Sequence, residues 1–117
     1  MTHRIVFLDR DTVAPYIEVR RPDFEHEWTE YDRTSTDQVV DRLQGATIVI
    51  DNKVALSAEA LAECPELQMV AIAATGTDIV NLDYCKDNGI VVSNIRGYAT
   101  HTVPEHTFAM ILGLRRS

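Results

Sequence analysis

Short, mostly apolar runs recur along the chain, and each stops abruptly in a polar loop. Ile5–Leu8 runs into Asp9-Arg10-Asp11, Thr47–Ile50 into Asp51-Asn52-Lys53, Leu67–Ala73 into Thr75-Gly76-Thr77-Asp78, and Ile90–Val92 into Asn94-Ile95-Arg96-Gly97. A continuous apolar run of four to eight residues, rich in β-branched side chains, is what a strand buried on both faces requires. A fifth and more exposed strand is expected at His26–Tyr31, where polar residues alternate with Trp28 and Tyr31.

Helix signals fill the gaps between these strands. Ser35 and Gln38 have the spacing of a capping box and open a helix with Val39, Val40 and Leu43 on one face and Gly45 as its stop. Ser57 caps a helix that holds Leu61 and ends at Pro65, and a short helix near Leu82–Asn88 stops at Gly89. Pro15 and Pro22 break up the 12–25 segment and exclude a long helix there. Thr102 and Glu105 form a second capping-box pair around Val103 and Pro104, starting a helix that runs to the end. Strands alternating with helices predict an α/β fold: a flavodoxin-like five-stranded parallel sheet, order 2-1-3-4-5, with helices on both faces and a C-terminal interdomain helix. Ligands of such sheets bind beyond the carboxyl ends of the strands, which singles out the loops at Asp9, Asp51, Thr75 and Asn94.

Length and composition narrow the class. At 117 residues, 45% apolar and 25% charged, the chain suits one soluble domain with a real core. A net charge of −7 argues against nucleic acid as a partner. No run nears the roughly 20 apolar residues of a membrane span. Cys64 and Cys85 are too few for a disulfide framework, which points to a reducing cytoplasm.

The last helix is apolar all round. Phe108, Ala109, Met110, Ile111, Leu112 and Leu114 leave it no face suited to water, so one side is expected to pack on the sheet and the other to meet a partner. At roughly 25 cal/mol per Å², two or three uncovered large side chains leave several kcal/mol unrealised. A homodimer through this helix is therefore expected, in a chain that is either a fragment or a subunit that always meets a partner.

The loops carry the candidate chemistry. Gly76 lets the 75–78 turn bend tightly and a ligand approach its main chain, and the N–H groups of such a turn favour a carboxylate or phosphate. Lys53 adds a positive charge at the end of the neighbouring strand. His101 and His106 are five residues apart, which places them on different sides of a helix and makes no metal site. Neither a nucleophile elbow nor a Gly-rich phosphate loop occurs in the sequence. Asp9, Asp11, Asp51 and Thr75 also echo a phosphoacceptor receiver domain with Asp51 as acceptor, although Ser93-Asn94-Ile95-Arg96 stands where a receiver has its lysine.

Several spaced elements together resemble the D-2-hydroxyacid dehydrogenases: Ala74-Thr75-Gly76-Thr77-Asp78, Asn81-Leu82-Asp83, Asn88-Gly89-Ile90-Val91-Val92, Asn94-Ile95-Arg96-Gly97 and Val103-Pro104-Glu105-His106. Ile5–Arg10, Asn52-Lys53-Val54 and Gly97-Tyr98 are most similar to the glycerate dehydrogenase or hydroxypyruvate reductase branch. The resemblance implies that residues 1–100 are the N-terminal part of a substrate-binding domain. It implies that residues 101–117 begin the interdomain helix, and that a Rossmann domain lies outside this chain. It further implies NAD or NADP as cofactor of the whole enzyme and a small 2-hydroxy or 2-oxo acid as substrate. Thr75 and Gly76 would hold the substrate carboxylate through main-chain amides, and Lys53 would approach the substrate. Thr75 and Val103 would lie near the nicotinamide. No residue matches the family's catalytic Arg, Glu and His set, so the chain alone is expected neither to bind the cofactor tightly nor to turn over. Ala99 replaces a frequent Asn, and Pro104 a usual Ala, which the first turn of a helix tolerates.

Overall fold

A computed structural model describes residues 2–116 of the chain. The apolar runs form five strands: β1 (His3–Phe7), β2 (His26–Glu30), β3 (Ile48–Asp51), β4 (Met69–Ile72) and β5 (Val91–Ser93). All neighbours pair in parallel, in the order β2-β1-β3-β4-β5, as expected. The register sets Phe7 level with Ile50 and Glu30, and Asp51 level with Ile72.

Three short helices connect the later strands: α1 (Val39–Arg42), α2 (Ala58–Ala62) and α3 (Leu82–Asp87). The caps expected at Ser35 and Ser57 form: Gln38 Oε1 accepts from the Ser35 N–H at 3.0 Å and Ser57 Oγ from Ala60 N–H at 3.2 Å. A further cap, not foreseen, opens α3, where Asn81 Oδ1 accepts from Tyr84 N–H at 3.0 Å. The helix expected after Ser35 divides into a 3-10 turn at Thr36–Gln38 followed by α1, and Gly89 follows α3 with φ +69°, a left-handed stop that glycine alone adopts cheaply.

One core cluster joins Val6, Val49 and Val70 of the sheet to Val39 and Leu43 of the first helical segment, Leu61 of α2 and Cys85 of α3. Ile5 and Phe7 point to the opposite face and are equally buried. The β1–β2 connection runs the other way across the sheet, so right-handed crossover places it, with its 3-10 turn at Arg10–Thr12, over that second face. This proline-broken segment gains order from Arg10, whose guanidinium donates to the carbonyls of Val13 at 2.9 Å and Ile17 at 2.8 Å.

The last helix, α4 (Thr102–Arg116), departs from expectation in two ways. Thr102 lies inside it and not at its N-cap: Gly97, at φ +73°, turns the chain early, and Val103 N–H already reaches the Ala99 carbonyl at 3.3 Å. Neither side of α4 packs on the sheet. Every described residue of it is exposed, its large apolar side chains from Ile111 at 54% to Leu114 at 80%. The helix leaves the body beyond the short edge strand β5 and stretches the fold to 58 × 31 × 25 Å.

This division between core and arm sets a stability expectation. Phe7→Ala should cost about 3–5 kcal/mol in denaturant unfolding, whereas Leu112→Ala in α4 should change it by less than about 0.5 kcal/mol. Equal losses would contradict the exposed placement of α4.

Candidate functional site

Parallel strands bring their carboxyl ends to one edge, where the loops after β3, β4 and β5 are laced together. Ala73 N–H donates to the Asp51 carbonyl at 2.8 Å, and Ile95 N–H to the Ala74 carbonyl at 3.0 Å. Leu56 N–H reaches the Ile79 carbonyl at 2.8 Å and Asn81 N–H the Leu56 carbonyl at 3.0 Å, a parallel bridge between Leu56 and Val80 that joins two loops. Asn94 Nδ2 donates to the Thr75 carbonyl at 2.8 Å.

Every one of these bonds uses the carbonyl side of the 74–77 bend or its flanks. Among the described residues, no N–H group from Ala74 to Ile79 donates to a group of the chain, those of Thr75, Gly76 and Thr77 at the bend included. Thr75 and Gly76 are exposed, so three successive unclaimed donors face solvent at the end of a rigid strand. A run of unbonded N–H groups in a turn can take an anion through local dipoles. An anion here would meet those dipoles against the chain's net charge of −7 and beside the Asp78 carboxylate. A Cβ built on Gly76 would stand 3.2 Å from Asp78 Oδ1. Gly76 itself lies outside the left-handed region, so its lack of a side chain matters for space and not for backbone conformation.

The neighbouring 52–54 loop shows the opposite arrangement, with its donors turned inward. Asp9, buried at the end of β1, accepts from Asn52 N–H at 3.1 Å and from Lys53 N–H at 2.7 Å. Asp51 Oδ1 accepts from Val54 N–H at 2.9 Å, while Asp51 Oδ2 is buried without a partner. Burial pushes the Asp51 carboxyl up to about 7; the Val54 N–H pulls it back and the nearby Asp9 charge raises it again. A wholly buried Asp51 is also out of reach of a phosphodonor, which removes the receiver reading.

The expected site residues thus fall at one edge but not in one hollow. Gly76 borders a depression of about 670 Å³ with Thr77, Asp78 and Asn81. Lys53 is exposed and borders another of about 700 Å³ with Asp9, Thr12, Arg33 and Ser35. Val103 lies in the first turn of α4, with its side chain exposed. Sequence reasoning did not foresee Asp9 and Asp51 as holders of the Lys53 loop, nor Asn94 as the tie on Thr75. Their only signal was a polar residue closing each apolar run.

Comparison with known proteins agrees with this fold. The profile of the D-isomer specific 2-hydroxyacid dehydrogenase catalytic domain matches residues 5–110. The chain is 47% identical to a glycerate dehydrogenase of Methylorubrum extorquens, over all of this chain and 37% of that protein. It is 36% identical to a hydroxypyruvate reductase of Blautia hydrogenotrophica, over 70% of this chain and 26% of that one. A D-lactate dehydrogenase from Aquifex aeolicus, solved with NAD and lactic acid, superposes with a TM-score of 0.70 at 28% identity, covering 94% of this chain and 33% of its own. The chain belongs to the D-isomer specific 2-hydroxyacid dehydrogenase family, as its motifs implied. It spans about a third of the length of the first of these relatives.

The buried Asp51 makes stability depend on pH. The folded state holds the Asp51 proton more tightly than the unfolded state does. The stability this gives is complete below about pH 4 and is lost as the pH rises to about 7. The whole loss is on the order of 4 kcal/mol. Denaturation at about pH 5 and about pH 8 should show the decline in the native chain and a much smaller one in Asp51→Asn. The same decline in both would contradict the assignment.

Proposed function

We propose that residues 1–100 are the N-terminal part of the substrate-binding domain of an NAD(P)-dependent oxidoreductase, with residues 101–117 beginning its interdomain helix. The enzyme interconverts small 2-hydroxy and 2-oxo acids, glycerate and hydroxypyruvate above all, in the cytoplasm. The observation that carries this reading is the set of three unclaimed N–H groups at Thr75, Gly76 and Thr77. Its choice of substrate draws on the likeness to a glycerate dehydrogenase along the full chain.

In this reading the 75–77 amides grip the substrate carboxylate and fix which face of the carbonyl is presented, so that orientation lowers the barrier. The Lys53 ammonium, free of any ion pair among the described residues, adds charge on the adjoining loop. Thr75 and Val103, both exposed, form one wall of a nicotinamide site. The nicotinamide supplies the hydride chemistry when bound. These residues fit that group on one side only. The sequence holds no Gly-rich loop for a pyrophosphate, so this chain alone neither binds the dinucleotide tightly nor turns over. The apolar surface of α4 suits a second copy, giving a homodimer through that helix.

Gly76→Val tests the acid grip in the full-length protein, assayed with a reduced nicotinamide cofactor and hydroxypyruvate. The added Cβ would stand 3.2 Å from Asp78 Oδ1, so that carboxylate must shift slightly, and in this reading the branched side chain narrows the approach to the amides. KM should rise at least about tenfold while kcat changes less. An unchanged KM would overturn the assignment of this bend.

A further inference from the structure

Three consecutive main-chain N–H groups, those of Asn52, Lys53 and Val54, point inward onto two buried carboxyls carried by neighbouring strands. Asp9 takes two of them and Asp51 the third. The loop is tied on its outer side as well: Asn52 Nδ2 donates to Thr12 Oγ1 at 3.0 Å, and that hydroxyl donates to the Asp9 carbonyl at 2.8 Å. With the main chain pulled inward at all three residues, the Lys53 side chain is left exposed, and no ion pair draws it elsewhere among the described residues.

The pair also touches the acid-gripping bend. The Asp51 carbonyl accepts from Ala73 N–H, the last main-chain donor bonded to the chain before Thr75, so one residue anchors both loops. Hydrogen bonds from N–H groups to buried carboxylates are strong and directional, unlike those of a solvated loop. Two carboxyls so close together are costly to bury, and a loop that needed only to close could be closed by its own backbone.

We propose that Asp9 and Asp51 are positioning residues, a carboxyl clamp that holds the 52–54 main chain and thereby fixes the point from which the Lys53 side chain reaches the substrate acid. The proposal rests on the reading of Lys53 given under Proposed function. Neither aspartate touches substrate.

A double-mutant cycle in the full-length protein tests it. Lys53→Met should raise KM for hydroxypyruvate about tenfold, and Asp9→Asn, which leaves one uncharged oxygen for the two N–H groups that the carboxylate holds with both, should do the same with kcat changed less than about twofold. The double variant should be no worse than either single one, because the clamp acts only through Lys53. If the two effects multiply, or if Asp9→Asn lowers kcat and spares KM, the clamp is wrong while the reading of Lys53 stands. An unaltered KM in Lys53→Met overturns that reading and the clamp with it.

Should Asp9→Asn fail to fold, hydrogen exchange on the unmodified protein decides. The Asn52, Lys53 and Val54 amides should exchange at least about a hundredfold more slowly than the open amides of Thr75–Thr77. Equal rates in the two loops would overturn the clamp.

Discussion

Parallel pairing is the constraint from which the rest follows. Because all five strands run the same way, every loop that leaves a carboxyl end meets its neighbours at one edge of the sheet. The ladder lends those loops its rigidity: Ala73, Ala74 and Ile95 continue its hydrogen bonds a step or two beyond the strands. The bend at Thr75–Thr77 can leave three N–H groups unclaimed only because its carbonyls and flanks are held so firmly. Unsatisfied donors on a loose loop would be lost to water and to motion.

The same edge shows two uses of one backbone chemistry. At 52–54 the N–H groups face inward and bond to Asp9 and Asp51; at 75–77 they bond to no group of the chain among the described residues. The inward arrangement carries a burden, since Asp51 keeps one oxygen without a partner and ionises only near neutral pH. A buried carboxyl of that kind destabilises the domain at the pH where it would work, and such costs tend to be kept where they hold a site in shape. The core contributes the opposing stability through Phe7, Ile5, Leu8 and the valine row of β1, β3 and β4.

Much of this was legible in the chain. Apolar runs of Ile, Val and Leu closed by Asp or Thr mark the strands, since little else satisfies both burial and abrupt ending. Ser35 and Ser57 mark helix starts because capping is a local chemistry of three or four residues. The bend at Gly76 was visible for the same reason. What stayed hidden depends on distance. Asp9 and the 52–53 amides lie 43 and 44 residues apart, and no local pattern announces that they meet. The course of α4 was misjudged because apolarity says that a helix wants cover, without saying that this sheet has none to offer beyond β5. Lys53 and Gly76 were rightly set at one edge, yet each borders its own hollow, a matter of side-chain directions that spacing does not encode.

The central claim is that main-chain donors at Thr75–Thr77 hold a small carboxylate. Titrating the isotope-labelled chain with glycerate and following its backbone amide resonances tests this most directly. The account predicts saturable shifts confined to Thr75, Gly76 and Thr77 and their immediate neighbours, matched by no comparable response to an uncharged glycerol control. Glycerate that leaves these three amides unmoved, or that moves a different loop instead, would contradict it.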